Sequence, residues 1–401
     1  MIHLLNKKPL LAKEVNILEN TMNPRTVIVL VLALMLSACN NEHDFKAERG
    51  ERAASSTADI VIGAAWPWTG AKGSLWQGIE LATEEINANG GVLHRQLRII
   101  KEDDESSLAK GRLIAEQFAE NTDMVAVIGH IDSYIALPVS AIYHSAGLVY
   151  LNPGSIDYQL NNQGYDQIFR SIPSNRSIAK RMAEYIADKG YKRVAMYYVK
   201  EKAHQDLANY FEQRAIELGL TIIDRRSYLR GNRDFSKVIH NWKELYQFDV
   251  LFLGAKMPEG AYIIDQLRTI GVNVPIVASL GIDTPQLMAI AGTSAEGVLI
   301  PEVLSADKKS HEKQHFDDRY FEKYHQPPSS NAALGYDSVF LLEQAMRQAN
   351  SSVPDKIAIA LHNTKKWLGA TGEFGFDDNG DIPDKKISFK VVHGGQFEDV
   401  Q

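Results

Sequence analysis

From Asp59 onward the chain alternates between short β-rich apolar runs and longer stretches of helical periodicity, and this restricts the fold more than any other feature. Ile60, Val61 and Ile62 open a first strand, predicted over residues 59–65. The spacing of Ile79, Leu81, Ala82 and Ile86 predicts a helix over residues 74–89, ended by Gly90-Gly91. A strand follows at 97–100, a helix at 107–121 and a nearly all-apolar strand at 124–129, as expected of a parallel strand buried on both faces. A helix at 133–146 and an extended segment at 148–151 complete this block. After Pro173 the pattern restarts, with helices at 177–189, 205–218, 235–246 and 261–270 and strands at 193–198, 220–223, 250–253 and 275–278. Residues 301–363 read as mostly helical, and 387–392 as a last strand. Alternation of this kind predicts parallel sheets with crossover helices. Two blocks in 401 residues predict an α/β protein of two doubly wound lobes.

The N-terminal part is of another kind. Residues 27–36 are apolar, with Arg25 before them and Ser37 and Ala38 after them, which is the pattern of a signal-peptide core. Ten residues are too few to cross a bilayer as a helix. Leu36-Ser37-Ala38-Cys39 resembles the bacterial lipobox, whose cysteine is acylated after cleavage, and Cys39 is the sole cysteine. Met22 is a better start for such a signal than Met1, so residues 1–38 read as an upstream extension plus a lipoprotein signal peptide. Residues 39–58, polar and rich in Ser, Glu and Ala, read as a flexible tether. The expected location is therefore extracytoplasmic: periplasm-facing in a Gram-negative cell, or the outer face of the plasma membrane in a Gram-positive one. The membrane is a partner through the lipid.

Charge and motifs narrow the function. The net charge is −7 and no Lys/Arg block stands out, which argues against nucleic acid as a partner. Walker A, G-x-S-x-G and G-x-G-x-x-G loops are absent, and no cofactor is expected. His311-Glu312-Lys313-Gln314-His315 fits H-E-x-x-H, the pattern of a zinc hydrolase, but its flanks read as a solvated helix without a third ligand. Ser107-Leu108-Ala109-Lys110 matches S-x-x-K without the partner motifs of acylating enzymes and reads as a helix start. Phe376-Asp377-Asp378-Asn379-Gly380-Asp381 does not keep calcium-loop spacing and reads as a turn. Neither a catalytic residue nor a metal ligand is assigned, and the chain is not expected to be an enzyme.

In open α/β sheets ligands bind beyond the carboxyl ends of the strands. After the first strand come Trp66, Trp68 and Trp76, candidates for a ligand wall. After the third come His130-Ile131-Asp132-Ser133-Tyr134 at a helix start, where unpaired N–H groups and the helix dipole favour an anion. Asp132, Ser133 and Tyr134 are candidate ligand contacts, with helix capping as the competing role for the first two.

These residues and their order resemble the type I periplasmic solute-binding proteins of the leucine/isoleucine/valine class, which serve ABC importers. The resemblance runs from Asp59 to Val392 through Glu84-Glu85-Ile86-Asn87-Ala88-Asn89-Gly90-Gly91-Val92, Val127-Ile128-Gly129-His130, Asn152-Pro153-Gly154-Ser155, Arg170-Ser171, Asp234-Phe235-Ser236 and Gly335-Tyr336-Asp337. It implies two lobes joined by three crossover segments, residues 59–172 with 303–384 forming lobe 1 and 173–302 with 385–401 lobe 2. A small polar solute, an amino acid or related amide or carboxylate, is expected between the lobes, delivered by a monomer to a permease and its ATPase subunits. The same body feeding a membrane signalling receptor is the alternative. Ser133 matches the serine that holds the solute carboxylate, and Ser155 lies in the loop that offers backbone groups. Ile156 stands where leucine-type binders have a threonine. Ala203 and Lys256 stand where they have aromatics, and Leu280 where they have an acid, with Asp283 nearby. The resemblance thus adds Ser155, Ile156, Lys256 and Asp283 to the candidate site, and leaves open whether the solute carries an amine or a second anionic group that Lys256 would hold.

Overall fold

The computed structural model describes residues 44–304 and 310–400. Cys39, the lipobox and the apolar run before it lie outside the described residues. The elements below belong to one compact unit, Phe45–Gln401.

The first of them is a helix, α1 (Phe45–Ser55). Residues 45–55, expected as part of a flexible tether over 39–58, are helical; 39–43 lie outside the described residues. Ala53 and the whole of Arg49 are buried, so the segment gains tertiary partners that its polar composition does not announce.

Sheet I follows: β1 (Ile60–Trp66), α2 (Ser74–Ala88), β2 (Leu97–Asp103), α3 (Leu108–Glu120), β3 (Met124–Gly129), α4 (Ser133–Ser145), β4 (Val149–Asn152) and β5 (Ile168–Arg170). Its order is β2-β1-β3-β4-β5, parallel throughout. β1 and β3 are buried along their whole length, as their uninterrupted apolar sequences require. Ser107 caps α3, accepting from the Lys110 N–H, so S-x-x-K is a helix start as expected.

Sheet II comprises, with its helices, α5 (Asn175–Asp188), β6 (Arg193–Val199), α6 (Lys202–Glu217), β7 (Thr221–Tyr228), α7 (Ser236–Leu245), β8 (Val250–Gly254), α8 (Glu259–Ile270), β9 (Ile276–Ala278), α9 (Gln286–Ala291) and β10 (Val298–Glu302). The chain then returns to lobe 1 with α10 (His311–Tyr324), α11 (Ser330–Ala349), α12 (Pro354–His362) and the hairpin β11 (Trp367–Gly369) and β12 (Gly372–Phe374). Helix α11 lies on α2 at glycine contact. A Cβ on Gly78 would sit 1.8 Å from the Ala332 carbonyl, and one on Gly335 2.2 Å from that of Leu75. Strands β13 (Ser388–His393) and β14 (Gln396–Asp399) close sheet II in the order β14-β13-β10-β9-β8-β6-β7, with β13 antiparallel to β10. The chain therefore passes between the sheets three times: after β5, after β10 and before β13. The architecture is the expected α/β pair of doubly wound lobes.

Five strands, β5, β10, β11, β12 and β14, were not foreseen. β10 carries Pro301 and begins before a stretch read as helical, and β5 is only three residues long. Both are held by neighbours, β10 between β9 and β13 and β5 beside β4, and not by a local pattern.

The strand orders locate the crevices. In sheet I the chain winds from β1 to β2 on one side and then to β3 on the other. In sheet II it winds likewise from β6 to β7 and then to β8. Each reversal parts two loops at the carboxyl edge: those after β1 and β3 in lobe 1, and those after β6 and β8 in lobe 2.

Candidate functional site

In lobe 1 the loop after β3 can turn sharply because residue 129 is glycine. Its φ is +151°, and a Cβ there would lie 2.1 Å from the Ala65 carbonyl. The following residue, His130, is wholly buried. Its Nδ1 lies 2.6 Å from Asp104 Oδ2 and its Nε2 3.0 Å from the Tyr143 hydroxyl, while its N–H donates to the Tyr150 hydroxyl at 2.9 Å. Burial pushes the Tyr143 and Tyr150 phenols up, so both remain protonated at neutral pH.

Asn152, also fully buried, ties this loop to the next one. Its amide NH2 donates to the carbonyls of Gly129 at 2.6 Å and His130 at 2.9 Å and to the Tyr150 hydroxyl at 2.7 Å. Its oxygen accepts from the N–H groups of Gly154 at 3.0 Å and Ser155 at 2.6 Å. Gly154 lets this loop close over Trp66, whose ring would be 2.5 Å from a Cβ at that position. The outcome is that Ser155 Oγ donates to Ser133 Oγ at 2.9 Å. Two hydroxyls from two loops thus meet at the start of α4.

Asp132 occupies the N-cap position of α4 but makes no capping hydrogen bond. Its Oδ2 is buried without a hydrogen-bond partner, with Lys72 Nζ, from the loop after β1, 3.8 Å away. The first helical bonds run from the N–H groups of Ile135 and Ala136 to the Asp132 carbonyl. The N–H groups of Ser133 and Tyr134 precede them at the positive end of the helix dipole.

In lobe 2 the corresponding crevice holds Glu201, after β6, and Lys256, after β8, paired at 2.6 Å. Burial works to raise the Glu201 carboxyl. The hydrogen bond from Lys256 and the charges of Lys256 and Arg230 outweigh it, and the group sits below its ordinary value. His204 is buried with Nδ1 unpartnered, and burial together with the Lys256 charge pulls it down to about 4, so it is neutral at pH 7. The lobes approach each other beside Ser155: Tyr158 and Tyr210 meet edge to face at 6.0 Å, and the Asp157 charge contributes to holding the Lys202 ammonium above its ordinary value, behind the hydrogen bond to Asp206.

The structure brings Asp132, Ser133 and Ser155 together, with Ile156 partly buried beside them. It places the other candidates differently. Trp66 is fully buried and donates to the Lys72 carbonyl at 3.0 Å, so it supports the loop from below and is no ligand wall here. Trp68 and Trp76 pack edge to face at 5.7 Å with the Lys101 ammonium over both rings, and Trp68 donates to the Glu102 carbonyl, so both lean on β2. Tyr134 points outward, its hydroxyl on the Ser106 carbonyl at 2.5 Å. Asp283 is engaged by Lys390 at 2.5 Å, and Lys256 by Glu201, so neither stands free as expected. Sequence reading placed His130 and Asn152 in the first-lobe loops without a role, and missed Lys72, Glu201 and His204. The strand-end rule could have found Lys72 and Glu201, whereas the bonding of His130 and Asn152 depends on Asp104, Tyr143 and Tyr150 arriving from other strands and helices.

The H-E-x-x-H segment starts α10, capped by Ser310. His315, half exposed, lies 3.2 Å from Glu85, and its ring is parallel to that of His311 at 6.1 Å. Among the described residues no group of three or more His, Cys, Asp or Glu is arranged to hold a metal ion. Asp377 closes the expected turn, accepting from the N–H groups of Asn379 and Asp381, while Asp381 forms a two-point ion pair with buried Arg170. Cavities of about 550 Å³, beside Tyr158, Lys180 and Lys385, and about 360 Å³, beside Tyr336 and Trp367, include no residue of the Ser133 and Ser155 loops.

Comparison with known proteins agrees with this architecture. A solved ABC transporter substrate-binding protein from Desulfitobacterium hafniense, in complex with Leu, superposes with a TM-score of 0.76 at 36% identity, covering 85% of this chain and all of that one. An amino acid binding protein of Pseudomonas aeruginosa is 27% identical over 350 residues, 84% of this chain and 90% of the relative. The Leu/Ile/Val-binding protein homolog 1 of Brucella suis is 28% identical over 336 residues, 82% of this chain and 88% of the relative. The family model for periplasmic binding proteins matches residues 59–396, and the chain belongs to that family.

Proposed function

We propose that this protein captures an α-amino acid between its lobes and delivers it to the permease and ATPase subunits of an ABC importer. The observation that carries the reading is the start of α4. The Ser133 and Ser155 hydroxyls, with the leading N–H groups of the helix, suit a carboxylate. Beside them the buried Asp132 Oδ2 accepts no hydrogen bond and has Lys72 Nζ only at 3.8 Å, so a solute ammonium at hydrogen-bond distance would be the closer partner. A zwitterion with both charges on one carbon matches that pair. The pairing of Lys256 with Glu201 speaks against a second anionic group on the solute, because the lysine charge is already neutralised. The leucine in the Desulfitobacterium relative and the names of the Brucella and Pseudomonas relatives support an amino acid.

Isothermal titration with leucine, isoleucine and their des-amino analogues tests this. Leucine or isoleucine should bind, and the des-amino acids should bind at least tenfold more weakly. Asp132→Asn should lower the affinity for the amino acids while leaving that for the des-amino acids nearly unchanged. Equal binding of both series would overturn the amine assignment.

The lipobox supports anchoring through an acylated Cys39 at the outer side of the cytoplasmic membrane or facing the periplasm. Cys39→Ser should move the protein from the membrane fraction to the soluble one, since a buried acyl chain contributes about 0.8 kcal/mol per methylene. Retention of the variant after a salt wash would refute the anchor.

A further inference from the structure

Helix α1 lies outside the residues that match the family, which begin at 59. It is nonetheless locked to lobe 1 by one side chain. Arg49 is fully buried and donates to the Met124 carbonyl at 2.7 Å, Ala119 at 2.7 Å, Asn121 at 3.2 Å, Phe45 at 3.3 Å and Phe118 at 3.5 Å, and to that of Ala146. The carbonyls of Phe118, Ala119 and Asn121 end α3, Ala146 ends α4, and Met124 begins β3. One guanidinium thus caps the negative ends of two helices at the amino edge of sheet I. Arg52 pairs with Asp123, Thr122 donates to Glu48, and Ser352 donates to the Ala53 carbonyl on the same edge.

That edge is opposite the solute loops. β3 begins at Met124, against Arg49, and ends at Gly129, where the Ser133 loop starts, a run of about 17–20 Å at the usual rise per residue. Cys39 lies only six residues before Phe45, a reach of about 20 Å even when fully extended. We propose that α1 is a latch that holds the amino edge of lobe 1 against the lipid surface, with the solute loops on the far side of the sheet and lobe 2 as the membrane-distal lobe. The partner is the bilayer that carries the acyl chains of Cys39, so the inference rests on the anchoring proposed above. Without the latch, the tether would run to residue 58 and the body could tumble.

The test uses the acylated full-length protein in vesicles that carry an energy-transfer acceptor on a fraction of the lipid headgroups. Cys39 is the only cysteine, so after acylation an introduced one is the sole thiol available for a donor dye. Glu120→Cys labels the exposed end of α3 beside the latch, and Ile216→Cys labels the far end of lobe 2, where Ile216 is exposed. Transfer from position 120 should exceed that from 216 severalfold. Inserting twenty Gly/Ser residues between Asp44 and Phe45, which leaves α1 in place, should reduce that difference to near equality. Equal transfer from both positions in the uninserted protein, or no effect of the insertion, would overturn the inference. Absence of acylation would refute the anchoring and the inference with it. The latch is measured separately on Cys39→Ser protein: Arg49→Leu should raise proteolytic cleavage within residues 45–58 tenfold or more, and an unchanged rate would show that α1 is not held by Arg49.

Discussion

Ser133 and Ser155 share one hydrogen bond, and a bound carboxylate would replace or extend it. Ser133→Ala should therefore weaken solute binding by about tenfold or more, since a hydrogen bond to a charged group is worth about 1.5–3 kcal/mol, with little effect on melting temperature. Titration calorimetry and a thermal melt of the same sample separate the two. His204 makes a prediction about acid. Burial and the Lys256 charge pull its folded-state value from 6.5 to about 4. The unfolded chain therefore takes up the proton first. The stabilisation from keeping this ring neutral is full above about pH 6.5 and is lost as pH falls towards 4. His204→Gln should flatten the dependence of melting temperature on pH between 6.5 and 4, while a parallel slope in both proteins would show that other groups dominate.

At the scale of elements, the same residue types do different work according to what packs on them. α10 carries the H-E-x-x-H letters, yet His315 reaches Glu85 on α2 at the surface, and the buried side chains of the helix are Phe316 and Tyr320. His311→Ala with His315→Ala should change stability by within about 0.5–1 kcal/mol and leave solute affinity unchanged, because both rings lie away from the Ser133 loop. Stoichiometric zinc in the purified wild type, lost in this double variant, would contradict that. α1 is the converse case. It has no apolar stripe to announce burial, and one arginine supplies the missing partners.

At the scale of the whole molecule, three crossings between two sheets allow the lobes to close on a solute as hinged bodies. Saturating leucine should reduce the radius of gyration measured by small-angle scattering. At a hundredfold excess over its dissociation constant it should also stabilise the fold by about 2.7 kcal/mol in a denaturant titration. A bound solute with no change in scattering would mean that capture does not require closure. The buried ion pair of Arg170 with Asp381 sits where the first and third crossings run side by side, and Arg170 also donates to the Asp157 carbonyl, so these crossings are tied to the loop that carries Ser155.

What the sequence by itself determined is the alternation of apolar strands and amphipathic helices, because burial on both faces of β1, β3 and β8 leaves a continuous apolar run in each. The two-lobed class follows, and so does the placement of Asp132 and Ser133 at a helix start beyond a strand end. β10, with its internal proline, and the docked α1 were not legible, because each is stabilised by partners distant in the chain. The same holds within the site. Asp132, Lys256 and Asp283 are equally plausible ion-pairing residues when read as letters. Only the tertiary structure brings Glu201 to Lys256 and Lys390 to Asp283 at hydrogen-bond distance, and leaves the Asp132 Oδ2 without a hydrogen bond, with Lys72 as a looser ion-pair partner at 3.8 Å. How far a charge is open to a solute depends on how closely its neighbours already pair with it, and those neighbours are chosen by the winding of the strands.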